Sequence, residues 1–311
     1  DLHSFPTRRS SDLEIALASC AEREYKILED GVVVNVREPV AGGPQKVRLT
    51  VMSDKVVRVT ATPDKSFHDR NSLIIIPDAN IEAGFDVRNH KDEVTLQTAS
   101  LSAIVNKKDG KVRFTDAGGN IITGETQPAS FSPITVDDTH GYSTINRFDT
   151  QADEGLYGLG QHQSDQWNYK GQNEELYQYN TKISIPFVIS SRGYGILWDS
   201  YSMGRFGNTE PYQQLNRLFK LYDKDGNPGS LTGSYYGSMR GGRPQIRQED
   251  SIYFVDSETI KNLPRLGQRV LYEGAIEAQE SGVYSFILYY AGYIKVSLGG
   301  EEVVKERWRT A

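Results

Sequence analysis

Val47-Arg48-Leu49-Thr50-Val51, the turn at Ser53-Asp54 and then Val56-Val57-Arg58-Val59 decide the fold. Apolar and polar residues alternate with a period of two on both sides of a turn, the pattern of a half-buried antiparallel hairpin. The same grammar extends outward. Val32-Val33-Val34 and Val36 precede this stretch, and Leu73 to Ile76 reads as a continuous buried strand stopped by Pro77-Asp78. Val94 and Leu96 alternate with Thr95 and Gln97, and Leu101 and Ala103 follow. Val112-Arg113-Phe114, the turn residues Asp116 to Asn120 and Ile121-Ile122 predict a further hairpin. Short β-branched runs recurring every 8–12 residues or so favour an antiparallel sandwich over alternating strand–helix units. No long amphipathic helix pattern occurs between residues 21 and 215, so the class is all-β, with one large β-sandwich over residues 25–221.

Residues 222–230, YDKDGNPGS, are polar and turn-rich and read as a linker. Strand patterns resume at Ser251–Val255, Arg269–Gly274, Gly282–Tyr290 and Tyr293–Leu298, with Gly299-Gly300 as a tight turn. A second β-sandwich module is therefore expected over 231–311. Its pattern breaks off at Ala311, so it reads as incomplete.

Composition excludes several classes of function. The 311 residues carry 35 Lys+Arg against 41 Asp+Glu, a net charge of −6, which gives no basic surface for nucleic acid or anionic lipid. A single Cys rules out disulfide frameworks and Cys-ligated metals. The five histidines, His3, His68, His90, His140 and His162, show no ligand spacing, so neither metal nor cofactor is expected. Gly155, Gly158 and Gly160 reverse the glycine spacing of a dinucleotide loop with no helix pattern after them, and read as turn glycines.

The amino terminus reads separately. Residues 1–13, DLHSFPTRRSSDL, resemble translated sequencing-adaptor read-through and are set apart from the fold. Residues 14–24 read as the remnant of a lipoprotein signal region, because Leu17-Ala18-Ser19-Cys20 resembles a bacterial lipobox. Lipidation at Cys20 would give membrane contact through a lipid anchor alone and place the protein in the bacterial envelope, periplasmic or at the outer membrane. The alternative for Cys20 is a buried free thiol at a strand end.

Gly155-Leu156-Tyr157-Gly158-Leu159-Gly160-Gln161-His162, then Ile185-Pro186-Phe187, then Gly193-Tyr194-Gly195-Ile196-Leu197-Trp198 form a combination in a fixed order. Together they resemble the N-terminal, galactose-mutarotase-like β-sandwich of glycoside hydrolase family 31, over roughly residues 25–220. Gly229 to Tyr236 resembles the opening of a protective-antigen-type β-sandwich, and Gly282 to Phe286 its central strand. Some modules of that type bind calcium through adjacent aspartates, where this chain has Tyr290-Ala291-Gly292-Tyr293, so no metal is assigned.

The resemblance implies a retaining glycosidase parent, an α-xylosidase acting on xyloglucan-type oligosaccharides, with α-glucosidase as the alternative within the family. Retaining hydrolysis needs two carboxylates about 5–5.5 Å apart. The family carries them on a barrel after the sandwich, and no alternating βα pattern occurs before Ala311. The barrel is therefore read as missing, no catalytic residue is assigned, and the fragment alone is expected to be inactive. Asp137-Asp138 and Glu174-Glu175 read as solvated loop charges.

The resemblance further implies that the segment before Ile185-Pro186-Phe187 folds over the barrel mouth and helps to shape sugar subsites. Its candidate substrate-binding residues are Gln161, Trp167, Asn168, Tyr177, Tyr179 and Asn180, with Tyr169 in the same segment. Aromatic faces stack on sugar C–H surfaces, and amides bridge vicinal hydroxyls, so carbohydrate is the expected partner. Two alternatives stay open. Tyr177 and Tyr179 are core packing, or the chain is a non-catalytic carbohydrate-binding or adhesin-type protein of two sandwiches.

Overall fold

The computed structural model describes residues 24–68, 71–75, 84–162, 166–207, 213–237, 242–252 and 269–309. Cys20, the adaptor-like residues 1–13, nearly all of the signal remnant, Ile76 to Asp78 and Tyr253 to Val255 lie outside the described residues. The chain divides into two compact units, Asp1–Thr209 and Glu210–Ala311.

In the first unit, β1 (Tyr25–Leu28), β2 (Gly31–Asn35), β3 (Lys46–Ser53) and β4 (Val56–Thr62) form an antiparallel meander in that order. Six more strands, β5 (Asp86–Asn89), β6 (Glu93–Gln97), β7 (Leu101–Asn106), β8 (Val112–Asp116), β9 (Ile121–Val136) and β10 (Thr139–Phe148), form a second antiparallel sheet, ordered β10-β9-β8-β7-β6-β5. The alternation read in β3 sets the packing. Val47, Leu49 and Val51 point inward with Val32 and Val34 and join Val94, Leu96, Ala103, Val105 and Val112 in one buried cluster. Each such side chain contributes about 1.5–3 kcal/mol on leaving water. The result is the sandwich expected from the sequence.

Lys107 and Glu125, which enter this sandwich, are both paired. Lys107, almost wholly buried, donates from Nζ to Glu24 Oε2 and Asn89 Oδ1, each at 2.9 Å. That hydrogen bond, with one from Arg37, holds the Glu24 carboxyl below the usual carboxylate range. Glu125 on β9 accepts the Val112 N–H at 2.8 Å and the Asn146 amide at 2.6 Å, yet burial pushes its pKa up to about 7. The predicted β8–β9 hairpin is present, its turn closed by Asp116 Oδ1 accepting the Asn120 N–H. Asp137-Asp138 cap the exposed tip of the β9–β10 hairpin.

One strand expectation fails here. Leu73 to Ile75 are in bends, and Leu73 is 82% exposed. Ser72 Oγ accepts the N–H groups of Ile74 and Ile75, a local side-chain bond that folds the backbone away from a ladder.

A third sheet has β11 (Leu156–Gln161), β13 (Ile183–Ser190) and β14 (Gly195–Leu197) in the order β11-β13-β14, while β12 (Glu174–Leu176) pairs with β15 (Gly204–Phe206). The glycines read as turn residues lie within strand β11 instead, at a bulge. Gly158 and Gly160 have φ +112° and +100° beside a register shift, and a Cβ there would meet the Phe187 and Ile183 carbonyl oxygens at 2.5 and 2.2 Å. Leu156, Leu159, Tyr169 and Val188 make a small core beneath. Buried Glu154 accepts from Ser190 Oγ at 2.5 Å, Tyr194 OH at 2.6 Å and the Gln151 N–H at 2.9 Å. Burial pushes its carboxyl up, and these hydrogen bonds outweigh that and hold it low.

The second unit opens with the short helix α1 (Leu215–Leu218) and β16 (Phe219–Tyr222), which pairs with β20 (Ala275–Ala278). A three-stranded sheet places β17 (Leu231–Tyr236) between β18 (Gln245–Glu249) and β19 (Arg269–Glu273), and β21 (Gly292–Leu298) pairs with β22 (Glu301–Arg309) across the Gly299-Gly300 turn. The stretch read as a linker is a closed loop inside this unit. The Asp223 carboxylate accepts the Asp225 and Asn227 N–H groups, and the Gly229 N–H returns to the Leu221 carbonyl. Gly282–Tyr290 forms no strand. Its Tyr284 and Phe286 rings instead stand 4.9 and 5.7 Å from that of Phe219.

Candidate functional site

The segment from Gln161 to Ile183 leaves the end of β11 and returns into β13, so both of its ends are fixed by one ladder in which Gln161 pairs with Ile183. Just before it re-enters, the chain turns tightly. The Tyr179 N–H reaches the Lys182 carbonyl at 3.3 Å and the Lys182 N–H reaches the Tyr179 carbonyl at 2.8 Å, leaving Asn180 and Thr181 exposed at the tip. Tyr177 and Tyr179 stack with ring centroids 5.4 Å apart and planes 25° apart. Both rings are partly open, at 39% and 47% exposure. The structure therefore brings Gln161, Tyr177, Tyr179 and Asn180 to one end of the β11–β13 ladder.

Trp167 and Asn168 behave differently. Asn168 Oδ1 accepts the N–H groups of Leu156, the first residue of β11, and of Lys170, both at 3.0 Å. Its acceptor is thus occupied in fixing the loop. Trp167 beside it is largely exposed. Tyr169 is core, buried with Leu156 and Leu159.

Beneath the turn lies a group of charges that the sequence did not announce. Lys182 Nζ donates to Glu174 Oε1 at 2.7 Å, and His162 Nδ1 stands 3.2 Å from the same oxygen, out of line for a hydrogen bond. His162 Nε2 meets the Leu159 carbonyl at 2.6 Å, and its ring packs edge-on to Tyr169 at 6.2 Å. Reading Glu174-Glu175 as two solvated loop charges is therefore half wrong. Alternation in β12 turns Glu175 toward Arg205 and Glu174 inward to its counter-ion. Nothing in the composition flags Lys182. The one usable signal is that Asn180-Thr181 between Tyr179 and Lys182 has the form of a two-residue turn.

Chemically, this arrangement offers no pair of free carboxylates. Its one inward carboxylate among the described residues is ion-paired to lysine, and hydrolysis by double displacement needs two free carboxylates facing a glycosidic bond. No group of three or more His, Cys, Asp or Glu that could hold a metal comes together among the described residues. Open tyrosine faces and a projecting amide suit a ring with an apolar face and a hydroxyl rim.

Comparison with known proteins gives the family of the sandwich. The model of the glycosyl hydrolase 31 N-terminal galactose mutarotase-like domain matches residues 46–206, just over half of the chain. An α-xylosidase of Saccharolobus solfataricus is 31% identical over 172 residues, covering 52% of this chain and 23% of its own length. An uncharacterised family 31 glucosidase of Pseudescherichia vulneris is 27% identical over 192 residues, covering 55% and 36%. The crystal structure of a family 31 α-xylosidase from Xanthomonas citri superposes with a TM-score of 0.82 at 34% identity, covering 92% of this chain and 31% of that one. The chain thus spans about a quarter to a third of the length of these relatives. With this match over more than half of its length, the chain belongs to glycoside hydrolase family 31, whose N-terminal galactose-mutarotase-like domain it carries.

Proposed function

We propose that the chain is the N-terminal part of a retaining α-xylosidase that trims xyloglucan-type oligosaccharides, and that the turn carrying Tyr177, Tyr179 and Asn180 forms part of its sugar-binding rim. The observation that carries this reading is the reach of the Xanthomonas citri likeness. The first unit holds 209 of 311 residues, so a likeness over 92% of the chain extends into the second unit, and the protein it matches is an α-xylosidase. α-Glucosidase is the alternative within the family, favoured by the Pseudescherichia vulneris relative. On this reading the second unit is a protective-antigen-type module, supported by Gly229 to Tyr236, which runs into β17. Cys20 serves as the lipid anchor of an envelope protein, supported by Leu17-Ala18-Ser19-Cys20.

The test joins this chain to the remainder of the Xanthomonas citri enzyme, in place of the portion it matches. The expected result is turnover of a p-nitrophenyl α-xyloside with a kcat/KM at least tenfold above that for the α-glucoside. Asn180→Ala in the same chimera should lower kcat/KM for the xyloside tenfold, or about 1.4 kcal/mol of transition-state binding. A folded chimera that does not turn over the xyloside overturns the reading of this chain as the N-terminal part of such an enzyme. An Asn180→Ala variant with unchanged kcat/KM removes Asn180 from the rim.

A further inference from the structure

Three ionisable side chains lie under the sugar-rim turn with no part in the contact proposed above. The side chains of His162, Glu174 and Lys182 are 1%, 11% and 10% exposed, and two of them converge on a single oxygen, Glu174 Oε1. A buried ion pair is a poor way to gain stability, because desolvation cancels most of the attraction; its best-attested use is to fix one arrangement among several. The contacts around Lys182 show which arrangement is fixed. Its ammonium stands 5.2 Å from the centroid of the Tyr177 ring, a cation–π distance. Tyr177 stacks on Tyr179. The Tyr179 backbone exchanges two hydrogen bonds with the Lys182 backbone. The path from Lys182 side chain to Tyr177 ring, to Tyr179 ring, to Tyr179 backbone and back to Lys182 closes on itself. Removing the ammonium opens that circuit at one point and leaves the two rings only their mutual stack and the backbone turn within it.

We propose that Lys182, clamped by Glu174 with His162 against the same oxygen, is a positioning residue that presets the outward Tyr179 ring and the Asn180 tip for a pyranose ring. Lys182 itself is too buried to touch sugar and acts through the two tyrosines. The proposal rests on the sugar-rim reading above for its ligand, and on the closed circuit alone for the positioning.

The experiment uses the full 311-residue chain and three variants: Lys182→Met, which keeps the straight stem and drops the charge; Lys182→Arg, which keeps the charge; and Glu174→Gln, which keeps the shape and breaks the ion pair. Amide hydrogen exchange at Tyr179 and Lys182 should quicken at least tenfold in Lys182→Met and in Glu174→Gln. It should stay within threefold of the parent in Lys182→Arg, with the amides of β3 and β4 unchanged in all three. Titration with xyloglucan heptasaccharide should show at least a tenfold loss of affinity in the first two variants and rescue in the third. Unchanged exchange at the two turn amides in Lys182→Met overturns the proposal, as does a general rise in exchange across β3 and β4. Should Lys182→Met not fold, Glu174→Gln decides by the same two amides. If the parent chain binds no heptasaccharide, the sugar-rim reading falls, and the exchange data still decide the positioning.

Discussion

Two strands of the first unit use the same alternation in opposite senses. In β3, Val47, Leu49 and Val51 turn into a closed core, and Lys46, Arg48 and Thr50 turn away from it. In β13 the inward row is Ser184, Pro186, Val188 and Ser190, while Ile183, Ile185, Phe187 and Ile189 face outward at 37–49% exposure. The outward row continues across the ladder, where Phe187 pairs with Leu197 and Ile189 with Tyr157. Period-two patterning therefore tells which residues share a face and leaves open which face meets water. The inward row of β13 tolerates hydroxyls because Ser190 donates to buried Glu154.

The comparison predicts unequal costs. Leu49→Ala should lower stability by about 2–5 kcal/mol in urea denaturation, since a fully buried leucine leaves a cavity as well as losing burial. Ile185→Ala in the outward row should cost under about 1 kcal/mol, as half-exposed surface positions do. Equal costs would break the comparison.

A pH-dependent effect of intermediate size separates the sandwich further. Glu125 has its folded pKa raised from the ordinary 4.5 to about 7. The folded state thus holds a proton there that the unfolded state has already released. Its favourable contribution is complete below about pH 4.5 and is lost as pH rises through 7. Glu125→Gln, which stays neutral, should gain on the parent protein across that window, read as a rising difference in Tm between pH 4.5 and 8. A constant difference would show that burial does not hold the proton.

The smallest stability effect is expected at the outward row itself. Phe187→Lys should change the urea midpoint little and reduce binding of a hydrophobic dye, because it breaks an apolar patch without entering a core. A large loss of stability would mean that Phe187 is packed in solution.

Much of this was legible in the sequence. The β3–β4 and β8–β9 hairpins and the all-β class follow from alternation and turn residues, which act within a few positions, whereas Gly158 and Gly160, read as turn residues, serve a bulge inside β11. Misreadings arose where a single side chain redirects the local backbone or finds a distant partner. Ser72 Oγ bends Leu73 to Ile75 out of a strand, and the Asp223 carboxylate closes a loop that composition reads as a linker. The partner of Glu174 is Lys182, eight positions on and past a turn, so its burial was invisible to pattern. Of the candidate site, Gln161, Tyr177, Tyr179 and Asn180 gather at one end of a ladder, whereas Asn168 serves the loop backbone.

On the proposed function, the Tyr177–Lys182 turn meets sugar. The most direct measurement is an NMR titration of the full chain with xyloglucan heptasaccharide, following every assigned amide. The largest shift changes are expected at Tyr177, Tyr179, Asn180 and Gln161, with those of β3 and β4 unmoved. Saturable shifts confined to other residues, or none at millimolar sugar, would contradict it.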